Sequence, residues 1–364
     1  MIFSSGSTGE PKGVMLSHYN LISNIRQMER ILHFTHRDRL LGILPFFHSF
    51  GFTVTLCLPA VLGAGVVFHP NPLDAKAVGT LVREKAVTIL LATPTLLQLY
   101  LRAVAPGDFG GLELVIAGAE KLPESVAAAF EDHFGIRPVE GYGTTECGPA
   151  VAVNIGGFRA AGFHQAGGKR GKIGRPLPGM SARIADAENP WGGKFLPPGE
   201  AGLLLLRGPN IMCGYLGRPE KTAEVLRDGW YCTGDMAMLD EDGFLQITGR
   251  LSRFSKIGGE MVPHLKIEEK LQELAGAADQ MFVVAAVPDE KKGERLVVLH
   301  KLAEKELSAC LEKLSDSDLP NLWKPRADAF FRVENFPLLG TGKLDLRRVK
   351  ELAQTFSTAA AGKV

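Results

Sequence analysis

Residues 87–134 alternate short apolar runs with stretches of helical period. Residues 87–92 (VTILLA) predict a buried strand, and Thr93-Pro94 then supplies an N-cap and a first-turn proline for a helix reaching residue 101. Residues 112–117 (LELVIA) predict the next strand, followed by Gly118-Ala119-Glu120 and a helix over about 123–134 that Gly135 closes. Strand, glycine-bearing loop and helix repeat as in a parallel sheet with helices packed on its faces. Ligands of such open sheets bind outside the carboxyl ends of the strands, so these loops are the place to look for chemistry.

After residue 201 the texture changes to short strands and tight turns: LLLLRG, DGWYCTGD and EDGFLQITGR, with Asp-Gly pairs marking the turns. This predicts a small β-rich subdomain. Beyond Gly249-Arg250 a smaller, more charged unit follows, with an amphipathic helix over 265–274 and strands over 281–287 and 295–300. The natural boundary lies at 251–253, and the last residues, STAAAGKV, read as a frayed tail. The expected fold class is α/β. A large N-terminal domain (1–250) would hold parallel sheets flanked by helices and the small β subdomain, and a small α+β domain would form the C-terminal part (251–364).

The chain has 364 residues, enough for about two or three domains. Its 41 Lys+Arg against 40 Asp+Glu give a formal charge of +1, with no basic run, which removes the electrostatic case for a nucleic-acid partner. Glycine, at 42 residues, is well above the average near 7%. The five cysteines, Cys57, Cys147, Cys213, Cys232 and Cys310, are far apart and form no CxxC pair. They point to a reducing, cytoplasmic compartment rather than to disulfides or structural zinc. Residues 40–73 lack any charged side chain, and 50–68 are long enough to raise the question of a membrane span. Prolines and glycines instead divide that stretch into a short helix and a buried strand, which leaves association with the inner face of the cell membrane as the weaker expectation.

Residues 4–13 (SSGSTGEPKG) offer hydroxyls, close backbone approach and the charge of Lys12 to a phosphate, although no Walker A sequence occurs. A Ser/Gly surface linker has the same composition. In order along the chain follow PFFHSFG (45–51), GYGTTE (141–146), WYCTGD (230–235), Gly249-Arg250 and GTGK (340–343). This ordered set, spread over essentially the whole chain, resembles the core motifs of the adenylate-forming superfamily: acyl-CoA synthetases, peptide-synthetase adenylation domains and luciferases. Residues 214–235 and 249–269 are most similar to the acyl-acyl-carrier-protein synthetase module fused to a 2-acylglycerophosphoethanolamine acyltransferase.

The resemblance implies ATP- and Mg²⁺-dependent conversion of a fatty acid to acyl-AMP with pyrophosphate release. A pantetheine thiol of acyl-carrier protein or CoA would then displace AMP, and a fused or upstream acyltransferase is an implied partner. It places Ser4, Ser5, Gly6, Ser7, Thr8, Gly9 and Lys12 on the β and γ phosphates, Glu146 on Mg²⁺ and Thr145 on the α-phosphate. Gly118, Ala119, Glu120 and Tyr142 would frame adenine, Asp235 would accept the ribose hydroxyls, and Arg250 would reach ribose or phosphate. Lys343 would sit between the attacking carboxylate and the α-phosphate, and His48 would gate the acyl pocket. Taken singly, Lys343 is also an exposed lysine in a Gly-rich turn, His48 a satisfied core histidine, and Asp235 and Glu146 turn carboxylates.

The resemblance further implies that the C-terminal domain turns about the linker between half-reactions and brings residues 256–260 (KIGGE), with Lys256, to the thiol. The sequence has Ser252 where the family often has Asp. Relatives carry about a domain's worth of chain before the phosphate loop, whereas here only a stub of residues 1–3 precedes it, too short for a properly paired strand. That predicts a fragment of low solubility and weak activity, and keeps a nucleotide-binding remnant as the alternative. His33 and Asp38 match the HxxxxD spacing of acyltransferases, a short pattern read as coincidence.

Overall fold

The apolar runs near residues 90 and 115 become neighbours at the centre of one sheet. In the computed structural model, which describes residues 1–5, 11–277, 280–289, 291–338 and 344–361, Ile89–Ala92 pairs in parallel with Arg39–Gly42 on one side and Leu114–Ala117 on the other. All four residues of Ile89–Ala92 are buried, as expected of a strand covered on both faces. Seven strands make the sheet, in the order Arg175–Pro176, Ala150–Val153, Val139–Gly143, Leu114–Ala117, Ile89–Ala92, Arg39–Gly42, Gly65–Phe68. The last five run parallel, while Ala150–Val153 runs against both its neighbours. The five parallel strands, with helices between them, form the parallel sheet of the expected α/β fold.

The helices between the strands end as their sequences dictate. Pro94–Ala103 starts at Thr93, whose side chain accepts from the Leu96 N–H, and Glu124–Phe134 ends at Gly135 in the left-handed region (φ 73°). Leu97, Tyr100 and Phe130 from these helices, with Val78 and Val82 from helix Ala75–Glu84, fill the core against the sheet. The uncharged stretch becomes a π-helix (Phe50–Cys57), a short α-helix (Leu58–Leu62) and the strand Gly65–Phe68. That strand is half-buried rather than buried, because it is the edge of the sheet beside Arg39–Gly42. Among the described residues no helix is long and apolar enough to cross a membrane.

The opening stub does pair, contrary to the reading of its length. Ile2–Ser5 forms a three-stranded sheet with Pro11–Met15 and Gly214–Tyr215, because Ile2 gains a buried position (7% exposed) while its neighbours Met1 and Phe3 stay exposed. The β-rich subdomain is antiparallel: Ser181–Ala185, Gly202–Arg207, Trp230–Leu239 and Leu226–Arg227 in order, with Leu245–Arg250 also paired to Trp230–Leu239.

Chain contacts divide the molecule into two compact units, one of Met1–Ser4 with Pro11–Thr248, the other holding Ser5 and the described residues from Gly249 onward. The division falls inside the strand Leu245–Arg250, two residues ahead of the boundary read from sequence. In the second unit Phe282–Asp289 pairs antiparallel with Gly293–His300, and alternate residues feed two cores. Val284 and Val298 pack with Ile267 and Leu271 of helix His264–Ala275, while Val283, Val297 and Leu299 pack with Val349 and Ala353 of helix Leu346–Ala361.

Candidate active site

Four parallel strands of the larger unit deliver their following residues to one end of the sheet: 45–51 after Arg39–Gly42, Thr93 to Thr95 after Ile89–Ala92, Gly118 to Glu120 after Leu114–Ala117, and 144–147 after Val139–Gly143. This carboxyl end is where open sheets bind ligands. The motif residues there are tied to one another. Ser49, 1% exposed, donates through Oγ to Thr145 Oγ1 at 3.3 Å. Glu146 is buried, and its Oε1 accepts from Tyr215 Oη at 2.9 Å and from Ser4 Oγ at 3.3 Å. Lys12 Nζ lies 4.5 Å above the centre of the same Tyr215 ring, within cation–π range.

Asp235, 2% exposed on Trp230–Leu239, accepts a short hydrogen bond from Tyr142 Oη. Burial first, then the Asp235 charge and hydrogen bond, push the Tyr142 hydroxyl well up. Burial and the Glu146 carboxylate do the same to Tyr215 and Tyr231. Burial raises the Cys147 thiol as well. All four therefore stay protonated at neutral pH, so the Tyr142 and Tyr215 phenols serve the two carboxylates as hydrogen-bond donors and add no charge.

The adenine-frame residues fit a close approach. A Cβ on Gly118 would come within 3.1 Å of the Phe50 ring, and Ala119 adopts φ 69°, a left-handed conformation uncommon for a residue with a Cβ. Glu120 is exposed and accepts from Thr95 Oγ1 at 2.7 Å. His48 is half-buried and its Nδ1 accepts from the Phe50 N–H at 3.3 Å, so the ring helps to shape its own turn.

The turn after Val139–Gly143 is held by groups the sequence did not single out. Asn24 exchanges two hydrogen bonds with the Ala150 backbone (2.8 and 2.9 Å), Asn210 donates to the Cys147 carbonyl at 2.7 Å, and the Met212 N–H donates to the Glu146 carbonyl at 2.8 Å. Asn20 in turn donates to the carbonyls of Pro209 and Ile211, each at 2.8 Å. These buried amides clamp residues 144–150 between helix His18–Leu32 and segment 209–212. Their partners lie far apart in sequence, so no local pattern marked the three asparagines. Tyr215 was missed for the same reason.

Arg250 and Lys256 belong to the second unit. Both are exposed; the Lys256 backbone N–H donates to Glu294 Oε2 at 2.8 Å, and Gly258 and Gly259 after it are left-handed (φ 58° and 90°). Ser5 ends the first strand. Gly6, Ser7, Thr8, Gly9 and Lys343 lie outside the described residues. The HxxxxD pair is structural: the His33 N–H closes its helix on the Glu29 carbonyl, and Asp38 accepts from Thr35 and from Thr88 Oγ1. Among the described residues no group of three or more His, Cys, Asp or Glu could hold a metal ion by itself, and the five cysteines are free.

Comparison with known proteins gives a consistent result. Residues 1–216 match the family model described as "AMP-binding enzyme". The chain is 33% identical over 358 residues to a long-chain-fatty-acid–CoA ligase of Bacillus subtilis, covering 96% of this chain and 60% of that protein. It is 35% identical over 298 residues to a feruloyl-CoA synthase of Amycolatopsis, covering 81% and 57%. It therefore spans well under two thirds of the length of these curated relatives. Among solved structures, ATP-bound MatB from Rhodopseudomonas palustris superposes with a TM-score of 0.82 at 28% identity, covering 96% of this chain and 67% of that one. The o-succinylbenzoate CoA synthetase MenE of Bacillus subtilis, in complex with its acyl-adenylate intermediate, gives 0.81 at 25% identity, covering 96% and 68%. With the family model matching more than half of its length, the chain belongs to the AMP-binding enzyme family.

Proposed function

We propose that the chain activates a fatty acid with ATP, forming acyl-AMP and pyrophosphate, and transfers the acyl group to a thiol. The observation that carries this reading is the convergence of Ser4, Lys12, Thr145, Glu146, Tyr142 and Asp235 in one unit, around the carboxyl ends of the parallel strands. The relatives' names and titles support it: two are acyl- or aryl-CoA-forming enzymes, and two solved neighbours hold ATP or an acyl-adenylate.

A carboxylate is a poor electrophile at neutral pH, and AMP supplies the leaving group it lacks. Asp235, an acceptor-only carboxylate fixed by Tyr142, binds the ribose hydroxyls, while Gly118, Ala119, Glu120 and Tyr142 border the base. Lys12 and Ser4 to Gly9 neutralise the outer phosphates, and Thr145, steadied by Ser49, contacts the α-phosphate. Lys343 offsets the charge that builds at the α-phosphorus, a contribution whose removal typically costs on the order of 10²- to 10³-fold in rate. His48 borders the entry of the acid, and Arg250 reaches the ribose or phosphate. The donor set fits Mg²⁺: one buried hard carboxylate, Glu146, suits an ion bound mainly by phosphates and water. When bound it would supply further charge neutralisation at the phosphates.

For the second step the relatives' names favour CoA as the thiol, with Lys256 and the Gly258-Gly259 turn offered to the pantetheine arm. The acyl-carrier protein is the rival acceptor. The test is pyrophosphate release by the purified chain with ATP, Mg²⁺ and a long-chain fatty acid. Release that depends on the acid and is lost in Lys343→Ala is expected; ATP cleavage indifferent to the acid would overturn the reading.

A further inference from the structure

We propose that Tyr215 is a positioning residue that serves both charged groups at the phosphate end of the site, its hydroxyl orienting Glu146 and its ring orienting Lys12. This deepens the adenylation reading and rests on it. The hydroxyl donates to Glu146 Oε1 at 2.9 Å, and Ser4 Oγ reaches the same oxygen at 3.3 Å. Two donors converging on one oxygen fix the rotation of the carboxylate. Among the described residues Oε2 accepts no hydrogen bond, so it is the oxygen left to present to a cation on the phosphates. On the ring face, Lys12 Nζ stands 4.5 Å from the centroid; among the described residues it pairs with no carboxylate, which leaves its charge available to phosphate.

Tyr215 is itself firmly placed. Gly214–Tyr215 pairs with Pro11–Met15 in the register Gly214 with Met15 and Tyr215 with Val14, which puts the ring beside the strand that carries Lys12. The Tyr215 N–H donates to Thr222 Oγ1 at 2.9 Å, and Met212, three residues earlier, is bonded to the Glu146 carbonyl. One side chain thus links the two charged groups of the phosphate site from a position to which the motifs assign no role.

The two arms separate in binding experiments on the full chain, using calorimetry of ATP with EDTA and ATP with Mg²⁺. Tyr215→Phe keeps the ring and removes the hydroxyl. It should leave metal-free ATP affinity unchanged and reduce the tightening produced by Mg²⁺ roughly tenfold, the scale of a lost hydrogen bond to a charged group. Tyr215→Leu removes both arms and should also weaken metal-free ATP binding, by about two- to tenfold. In a Glu146→Gln background Tyr215→Phe should add nothing to the Mg²⁺ effect, which a general loss of structure would not reproduce. An unchanged Mg²⁺ effect in Tyr215→Phe, or equal loss with and without metal, overturns the proposal. If Glu146→Gln abolishes the Mg²⁺ effect while Tyr215→Phe keeps it, only this inference fails. If the unmodified chain binds no ATP in either condition, the adenylation reading fails with it.

Discussion

Asp235 and Tyr142 illustrate how a buried carboxylate is held ready at this site: the acid is almost fully withdrawn from solvent and accepts a phenolic hydrogen bond. Asp235→Asn keeps an acceptor for Tyr142 but offers a single carbonyl oxygen where the carboxylate offers two. Its melting temperature should stay close to that of the parent while ATP binding weakens about tenfold or more. Asp235→Ala, in contrast, strands the Tyr142 hydroxyl and should lose about 1–3 kcal/mol of stability as well. Chemical denaturation and calorimetry of the two variants separate binding from folding.

A second residue-scale prediction concerns acid. His264 is buried with its Nε2 at 2.5 Å from Ser255 Oγ, and burial, then the positive charges of Arg253 and Lys350, pull it down from 6.5 to about 3. Folded, it stays neutral where the unfolded chain takes up a proton. Its contribution is therefore complete above pH 6.5 and is lost progressively as pH falls toward about 3, with an upper bound of roughly 5 kcal/mol. In His264→Gln the acid-induced loss of stability of the second unit over that window should shrink. An identical pH profile for parent and variant would contradict the assignment.

At the scale of elements, the strand Val139–Gly143 and its turn do most of the positioning. The register slips between Tyr142 and Gly143 as the strand meets Ala150–Val153, and a Cβ on Gly143 would lie 2.1 Å from the Pro149 carbonyl oxygen. Backbone cannot yield cheaply there. Gly143→Ala should cost about 3 kcal/mol or more and displace Thr145 and Glu146. Gly141→Ala meets only the Ile116 Cγ2 methyl at 3.2 Å at its nearest, and should be milder. A Gly143→Ala chain as stable and as active as Gly141→Ala would count against the clamp.

Elements were readable where the information is local. The Thr93-Pro94 start, the Gly135 stop and the two central strands came out within a residue or two, because capping chemistry and apolar runs are properties of neighbours in sequence. The edge position of Gly65–Phe68 was not readable, since a fully apolar run looks alike at the centre and rim of a sheet. Nor was the clamp: the Asn20 bonds to Pro209 and Ile211 span 189 and 191 residues, and the Tyr215–Glu146 bond spans 69. The ordered motifs marked Glu146, Asp235 and, in Ser4, one donor to Glu146, but gave no role to Tyr215 or to the asparagines of the clamp.

On the scale of the whole molecule, the proposed division of labour follows the two units. The first holds Lys12, Tyr142, Thr145, Glu146 and Asp235, the side chains proposed to bind the nucleotide, and the second contributes the sequence positions proposed for the mobile steps: Lys343 for adenylation, and residues 256–260 for thiol capture. The strand Leu245–Arg250 passes directly into the 3₁₀ turn Leu251–Arg253, and Arg253 anchors that turn to the second unit through its buried ion pair with Glu268. Stiffening the turn with Ser252→Pro should therefore spare acyl-AMP formation and slow thioester formation. Lys343→Ala should do the reverse, losing about 10²- to 10³-fold in adenylation while converting supplied acyl-AMP normally. A Ser252→Pro chain with the parent's overall thioester rate would remove the reason to place the pivot there.

The most direct measurement is mass spectrometry of a single turnover in the absence of any thiol, with ATP, Mg²⁺ and a long-chain fatty acid supplied to the purified chain. Acyl-AMP should accumulate in step with pyrophosphate, and both should fall sharply with Asp235→Ala. Recovery of ADP with acyl phosphate, or undiminished acyl-AMP from the Asp235→Ala chain, would contradict the adenylation reading.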